Sequence, residues 1–362
     1  MVGSAHMEPL THFFTGACIG RAGFNRKTAY ATLAMTLAAE APDIDVFWGF
    51  RGPVSGFEHH RGITHTLLGA PFMALAVTGI VWLIHRVRKK PGPIAPRWAL
   101  IWLFALLADF SHLLLDFTNN YGLRPFFPFD PHWYAWSIVF IFDPLIFLAL
   151  LSSLVMPWLF GLADSEMGVR RPRFRGRGWS IAVLLFIVLW WSLRNAEHAH
   201  AISLVRAANV VSEPIVKIDA EPSIIDPFTW HAIAETHDYY QTVEVHTLHD
   251  QVEDRSPDAS DIIYKPPVTP AVMAAKQSLL GRVYLGWAMF PVTTDLGNDP
   301  IPYDTAPLPQ PNWHTVQFQD LRFSRPALGL GGPRGSSPLG AYAYIGPGNE
   351  VEGMFMSGKE QK

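Results

Sequence analysis

The chain has 362 residues, a formal net charge of −3 and a charged fraction of 16%. Soluble globular proteins usually carry about 25% charged residues, so this composition argues against a soluble protein and indicates a membrane protein. The single cysteine, Cys18, excludes an intrachain disulfide and a cysteine-based zinc site.

Apolar segments in the first half of the chain predict membrane helices. In chain order they are residues 10–20, 28–42, 67–84, 98–108, 144–163 and 179–193. A helix needs about 20 residues to cross the hydrocarbon core, so two of the last four are long enough and two are short or polar at one end. The first two are weaker and are predicted to be tilted, half-buried or packed inside the bundle. The sequence therefore predicts an α-helical membrane bundle of about four to six helices.

Basic residues cluster in three loops between these segments, at positions 21–27, 86–97 and 170–177. Short loops rich in Lys and Arg stay in the cytoplasm. With these loops inside, one set of polar residues lies at the outer face: His12, Asp43, Asp45, His65, Asp116 and Asp143. This topology predicts a multi-pass protein of a bacterial-type inner membrane, with a single site on the outer side.

The composition changes near residue 197. Residues 1–197 carry 17 Lys and Arg against 12 Asp and Glu, whereas residues 198–362 carry 11 against 19. In the second half, β-branched and aromatic residues between turn signals predict strands. These strands are expected at residues 242–248, 278–290, 316–323 and 342–345, with 209–218 as a further candidate. We therefore predict a membrane-embedded domain at residues 7–197 and a water-exposed β-rich or α+β domain at residues 198–362, outside the cytoplasm.

The segment DFSHLLLD, residues 109–116, is the most informative local pattern. On a helix, Asp109, His112 and Asp116 fall on one narrow face. A histidine and a carboxylate at positions i and i+4 can both reach one divalent ion. A polar pair hydrogen-bonded inside a bundle would have the same spacing. Asp109, deeper in the span, could also orient a ligand imidazole.

The segment HHRGITH, residues 59–65, can deliver two imidazoles from a loop to the start of the next helix. His60 and His65 are the candidates, and His59 is the less suitable member. Two histidines here, opposite two acids of another span, favour metal binding over a structural role. Arg61 could be a structural donor to carboxylates or a clamp on a phosphate oxygen.

APDID and His12 supply further candidate metal ligands. In APDID, residues 41–45, the proline ends a helix, and Asp43 and Asp45 can coordinate or bridge hard cations. His12 alone would more often be structural, and its interest comes from the other members. Ionisable groups at membrane depth are costly, so a functional site is their default interpretation.

The whole pattern resembles a known family. THFFTG, APDID, HRGITH, HLLLD with NNYG and RPF, and then FDP are similar to the YdjM-like family of membrane-bound metal-dependent hydrolases, over residues 7 to about 160. A later DLRF, residues 320–323, is similar to that of longer members. The resemblance implies a membrane-embedded hydrolase with these candidate metal ligands: His12, Asp43, Asp45, His60, His65, His112 and Asp116.

A more distant similarity concerns the zinc-dependent phospholipases C, which share the order of histidine, paired aspartates and HxxxD. The chain lacks the histidine and glutamate that would complete a three-zinc set after Asp116. We therefore expect one or two divalent ions, zinc first, with manganese or iron as alternatives.

The expected reaction is hydrolysis of a phosphodiester or related ester bond in a lipid or lipid-like substrate by a metal-activated water. Asp43, Asp109 and Arg61 are the expected catalytic residues. The expected substrate-binding residues are Arg61, Asn119, Arg124 and Asp143.

Other functions remain open at this point. One is an envelope metallo-amidase or protease, since the missing HExxH excludes only the common zincin design. Another is a transporter or ion-binding membrane protein, which should carry polar faces along whole spans. A third is an assembly protein with a closed, structural metal site. Nucleic-acid binding is not indicated, because membrane topology explains the basic runs.

Overall fold

The computed structural model of this chain describes residues 9–88, 94–167, 176–253, 262–303, 305–324 and 339–362. By their contacts the described residues form two compact units. The helical unit contains residues 9–44 and 61–195, and the C-terminal unit contains residues 45–60 and 196–362. The predicted boundary near residue 197 thus lies close to this division, whereas the segment 45–60 groups with the second half of the chain.

Seven α-helices lie in the described part of the first 208 positions. They are α1 (Pro9–Arg21), α2 (Ala31–Glu40), α3 (Pro53–His59), α4 (Ala70–Val87), α5 (Trp98–Thr118), α6 (Pro144–Glu166) and α7 (Arg177–Ala208). Within the described residues, α4 to α7 are the four helices long and apolar enough to cross a membrane. Together with the antiparallel sheets of the C-terminal unit, they confirm the predicted fold class.

Two of the spanning helices extend beyond their predicted ends. Helix α5 continues through its polar tip to Thr118, and α7 runs for 32 residues. In α5 the polar side chains Asp109, His112 and Asp116 are all buried, so they face protein rather than lipid. At 13 and 10 residues, α1 and α2 are too short to cross the bilayer.

Small residues bring α1 and α2 into close contact. A Cβ atom at Gly16 would collide with the carbonyl of Met35, and one at Gly20 would press on the backbone of Thr32. Glycines spaced by four allow helix backbones in membranes to approach closely. This contact holds α1, which carries His12, against α2, whose C-terminal end leads to Asp43.

We expect a larger residue at this contact to separate the two helices. Gly16→Leu should destabilise the helical unit by about 1–3 kcal/mol, because overpacking forces backbone shifts. Thermal unfolding of the detergent-solubilised protein would measure the loss. Gly79→Leu is the matched control, since a Cβ there meets nothing within 4 Å on an exposed face of α4. Equal melting temperatures for the two variants would contradict the expectation.

The first sheet of the C-terminal unit has five antiparallel strands: β1 (Lys217–Pro222), β2 (Thr229–Glu235), β3 (Tyr239–His246), β4 (Gln251–Glu253) and β5 (Ile262–Tyr264). They run in the order β1-β2-β3-β4, and β5 also pairs with β3. Its buried face carries Trp230, Val243 and Val245, which pack with Ala201 and Val205 near the end of α7.

The second sheet follows two short helices, α8 (Pro270–Gln277) and α9 (Leu279–Trp287). Its strands are β6 (Pro291–Asp295), β7 (His314–Asp320), β8 (Ala341–Ile345), β9 (Val351–Met356) and β10 (Lys359–Glu360), in the order β10-β9-β8-β7-β6. Ile233 and Tyr240 of the first sheet share a hydrophobic cluster with Phe290, Val292 and Leu321. The two sheets are therefore parts of one core.

The predicted strand at 278–290 is wrong, because this segment forms α9. Its apolar residues recur at helical spacing: Leu280, Tyr284 and Trp287 are all buried. Ser278 caps the helix, with its hydroxyl accepting a hydrogen bond from Gly281 N at 3.0 Å. The strands predicted at 242–248, 316–323 and 342–345 overlap β3, β7 and β8, whereas only the last two residues of 209–218 belong to β1.

The DLRF motif is a buried ion pair. Asp320 is 0% and Arg322 6% exposed, and Asp320 Oδ2 lies 2.8 Å from Arg322 Nη2. The same oxygen accepts a hydrogen bond from Met289 N at 2.7 Å. The Arg322 guanidinium also lies over the Trp287 ring, 4.7 Å from its centroid. The motif thus joins the end of β7 to the segment between α9 and β6.

Segment 45–60 is fastened to the rest of the C-terminal unit. Gln361 Oε1 accepts hydrogen bonds from Val54 N at 3.0 Å and from Ser55 N at 3.1 Å. Phe57 of α3 packs against the rings of Tyr284 and Trp287, with centroid separations of 6.0 and 5.1 Å. The segment is therefore a structural part of this unit.

Candidate metal centre

Four side chains of the helical unit direct potential metal donors toward one point. His65 lies in the 3-10 turn before α4, His112 and Asp116 lie on α5, and Asp43 lies in the 3-10 segment after α2. His65 Nε2 is 3.0 Å from His112 Nε2, 3.3 Å from Asp43 Oδ1 and 3.5 Å from Asp116 Oδ2. His112 Nε2 is 3.5 Å from the same Asp116 oxygen. Donors bound to a tetrahedral zinc ion lie about 3.3 Å apart, so the spacing suits such an ion.

Hydrogen bonds orient both imidazoles. His112 Nδ1 lies 2.7 Å from the carbonyl oxygen of Ala39, which can only accept, so Nδ1 carries the proton and Nε2 keeps its lone pair. His65 Nδ1 lies 3.1 Å from Thr64 Oγ1. Two Nε2 lone pairs at 3.0 Å repel each other unless a cation or a proton lies between them. The Ala39 carbonyl thus has the orienting role that the sequence left open for Asp109.

Buried carboxylate oxygens also lack partners here. Among the described residues, Asp116 Oδ2 and both oxygens of Asp109 are buried without a hydrogen-bond partner. A buried charge without a partner is strongly unfavourable. Asp109 is 0% exposed and precedes His112 by about one helical turn. The unpartnered Asp116 oxygen, facing two imidazole nitrogens, is the arrangement that a divalent cation would complete, so these residues fit a metal ion.

His12 extends this set. Its Nε2 is 3.4 Å from Asp116 Oδ1, and its ring stacks on His112 with centroids 3.8 Å apart. His12, Asp43 and His112 form one group of mutually close donors, and His65, His112 and Asp116 form another. His112 belongs to both groups. The geometry suits one ion with an additional ligand or two neighbouring ions, and the predicted number stays open.

Arg61 is wholly buried beside the donor set. Its Nη2 lies 2.9 Å from Asp116 Oδ1, and its Nη1 donates to Asn119 Oδ1 at 3.3 Å and to the Gly122 carbonyl. Its guanidinium also lies over the ring of Tyr121, 4.7 Å from the centroid. This is the geometry of a structural donor to carboxylates. The alternative role as a phosphate clamp stays a prediction.

Two of the predicted substrate-binding residues share a small cavity with His12. Asn119 and Asp143 line it, and its volume of about 30 Å³ is enough for a water molecule. Asp143 caps α6, with Oδ1 accepting from Ile146 N at 3.0 Å, and its Oδ2 accepts from Trp190 Nε1 at 2.9 Å. Both polar residues are thus placed beside the donor set and held in position.

Arg124 lies apart from this cavity's lining. Its guanidinium is over the rings of Phe127 and Trp133, 4.9 and 4.7 Å from their centroids. Asn119 Oδ1 meanwhile accepts from Tyr121 N at 2.9 Å, which shapes the turn after α5. A substrate role for Arg124 stays a prediction.

Asp45 and His60 fall in the C-terminal unit. They face each other, with Asp45 Oδ1 3.3 Å from His60 Nδ1. Within the described ranges, neither belongs to a group of three mutually close metal donors. Two residues after Asp43 the chain passes from one unit to the other, and it returns at Arg61. The ligand roles of this pair stay predictions.

Glu40, at the end of α2, is a neighbour of the site that the sequence analysis missed. Its Oε1 is buried without a hydrogen-bond partner in the described structure. Burial, followed by the charge of Asp43, raises the pKa of Glu40 to about 7. Burial alone would raise the pKa of Asp43 as well, but His112, His65 and His12 hold that pKa below its usual range. An acid immediately before APDID, three positions before Asp43, was the available signal.

Comparisons with known proteins cover the region of these donors. The model of the YdjM inner membrane protein family matches residues 7–201. "Uncharacterized protein YfhP" of Bacillus subtilis (strain 168) is 29% identical over 163 residues, which cover 43% of this chain and 47% of that protein. The chain therefore spans about half the length of the curated relative it matches. No solved structure gives a significant match.

Proposed function

This chain belongs to the YdjM inner membrane protein family, and from this premise we propose that its buried donor set serves a membrane-bound metal-dependent hydrolase. The proposed substrate is a phosphodiester or related ester in a lipid-like molecule that enters from the bilayer. The observation that supports the proposal is the convergence of two imidazole nitrogens and two carboxylate oxygens beside buried, unpartnered acids. The site and the C-terminal unit are proposed to lie on the outer side of the membrane.

Three of the convergent side chains, His65, His112 and Asp116, would hold the ion and leave a fourth position for water. Zinc is the first candidate, with manganese or iron as alternatives. When bound, a divalent ion lowers the pKa of a coordinated water toward about 7 and offsets charge on the leaving oxygen. Asp43 is 22% exposed, whereas the side chains of His65 and Asp116 are at most 1% exposed. Asp43, beside His65, is therefore the carboxylate best placed to take a proton at the solvent side.

Four further residues are proposed to act around these ligands. Arg61 binds Asp116 Oδ1 and so leaves Oδ2 directed at the imidazoles, which makes it a positioning residue. Asp109 keeps both oxygens buried and unpartnered about one helical turn from His112, so it can receive a proton within the bundle. Asn119 and Asp143, in the cavity beside His12, are the proposed contacts for the polar part of the substrate.

The test is hydrolysis by purified full-length protein in detergent micelles. The probes are bis(p-nitrophenyl) phosphate and a phospholipid mixed into the micelles, each with added Zn²⁺, Mn²⁺ or Fe²⁺. We expect metal-dependent cleavage, and we expect Asp43→Asn to lower kcat by about 100-fold or more, as loss of a general base does.

Asp130→Asn is the matched control. Asp130 is a half-buried aspartate of the helical unit whose Oδ1 accepts a hydrogen bond from His132 N at 2.8 Å. It should leave the rate unchanged. Full activity of Asp43→Asn would remove the general-base role of Asp43. No cleavage of either probe with any of the three metals would remove the hydrolase proposal.

A further inference from the structure

A second group of metal-binding side chains lies in the C-terminal unit, on the first sheet. Glu244 and His246 of β3 and Glu253 of β4 place one donor atom each within 4.8 Å of one another. His246 Nε2 is 3.3 Å from Glu253 Oε1 and 3.7 Å from Glu244 Oε1. These separations are close to the roughly 3.3 Å between two donors of a tetrahedral zinc ion.

The register of the sheet explains why these side chains meet. Glu244 pairs with Glu253 on one side and with His231 of β2 on the other. His231 Nδ1 lies 3.8 Å from the second oxygen of Glu244. Residues two apart on a strand share a face, so His246 lies on the same face as Glu244. The opposite face carries Val243 and Val245 and is buried against α7.

Electrostatics favours a cation at this place. Carboxylates directly opposite each other on neighbouring strands destabilise a sheet. Glu244 and Glu253 are such a pair, with side chains 19% and 44% exposed. An ion that binds both carboxylates, or a protonated His246 between them, would remove that repulsion.

A relay behind His246 fixes which nitrogen faces the carboxylates. Thr229 Oγ1 donates to Asp226 Oδ2 at 2.6 Å, so its lone pair is directed to His246 Nδ1 at 3.0 Å. Nδ1 therefore carries a proton, and Nε2 is the free donor atom on the side of the glutamates. Metal-binding histidines are usually oriented in this way by an acceptor behind the ring.

We propose that Glu244, His246 and Glu253, with His231 beside them, form a second divalent-metal site on the first sheet. The mixture of imidazole and carboxylate ligands suits Zn²⁺ over Mn²⁺ and Mg²⁺. The site is partly exposed and separate in sequence and in unit from the donors of α5. It is independent of the proposed hydrolase activity.

The experiment is Zn²⁺ titration of tag-free, full-length protein in detergent, in a His65→Ala, His112→Ala background that removes the helical-unit donors. We expect His246→Ala and Glu253→Gln each to weaken zinc binding by at least about tenfold. Thr229→Val removes the hydroxyl that orients the His246 ring, so it should weaken zinc binding about tenfold. Thr229→Ser keeps a hydroxyl and should bind zinc like the parent. Mg²⁺ should not compete.

His237→Ala is the matched control, because His237 is 93% exposed and also lies beside an acid, Asp238, at 2.6 Å. It should bind zinc like the parent. Equal zinc affinity in the parent, His246→Ala and Glu253→Gln would overturn the proposal and assign His246 to a proton-mediated ion pair. Glu253→Gln alters an exposed side chain, so it remains informative if His246→Ala fails to fold.

Discussion

His112→Ala is expected to abolish metal binding by the helical unit. His112 belongs to both donor groups, and its Nε2 lies 3.0 Å from His65 Nε2 and 3.5 Å from Asp116 Oδ2. Loss of residues that merely support a ligand lowers metal affinity by about 10–100-fold, so loss of this shared ligand should cost at least about 100-fold. In the variant, the remaining donors border the space that the imidazole leaves, and the site has one donor atom fewer.

Elemental analysis of detergent-purified, tag-free protein measures this effect, with His246→Ala present in all samples to silence the C-terminal donors. About one or two equivalents should be lost in His112→Ala and in the His65→Ala, His112→Ala double variant. His85→Ala is the control, because His85 lies on α4 of the same unit and contacts Tyr30 Oη at 3.3 Å. Unchanged metal content in the double variant would contradict both the metal site and the hydrolase proposal.

Asp320→Asn is expected to destabilise the C-terminal unit by about 3–5 kcal/mol, because it removes the carboxylate that the buried Arg322 guanidinium binds. Arg322 has 6% exposure and donates two hydrogen bonds to Asp320 Oδ2, from Nε at 3.0 Å and from Nη2 at 2.8 Å. Urea unfolding of the full-length protein, followed by tryptophan fluorescence of this unit, measures the change.

Two variants sharpen this measurement. Asp299→Asn changes an exposed aspartate of the same unit and should have an effect below about 0.5 kcal/mol. Asp320→Asn combined with Arg322→Met should be more stable than Asp320→Asn alone, because the double variant no longer buries a guanidinium that has lost the Asp320 carboxylate. A loss under about 1 kcal/mol for Asp320→Asn would show that the pair does not support the fold.

Much of the helical unit followed from the sequence. Hydrophobic length predicted α4 to α7, and the alternation of basic loops predicted that His65, Asp116 and Asp143 come from helix ends on the same side. Helical spacing on α5 predicted that His112 and Asp116 share a face, and their side chains do converge on His65. These predictions depend on local periodicity and on the fact that a membrane-spanning helix can run in only two directions.

Other features depend on contacts between distant segments, which periodicity does not contain. The strand predicted at 278–290 was wrong because aromatic residues occupy one face of α9, with Ser278 as its cap. The burial of Arg61 depends on a left-handed backbone, with φ of 51°, and on the turn that follows α5. Asp45 lies only two residues from Asp43, yet its neighbours belong to the other unit.

The fastening of segment 45–60 has a consequence for biosynthesis. Val54 and its hydrogen-bond partner Gln361 are 307 positions apart, so the partner leaves the ribosome long after the segment does. At about 5–20 residues per second, this delay is about 15–60 s. Asp43 and His65 flank the segment and are already made during that interval. The segment between these two residues therefore stays without its Gln361 partner until translation reaches the end of the chain. During that period chaperones and proteases have access to it.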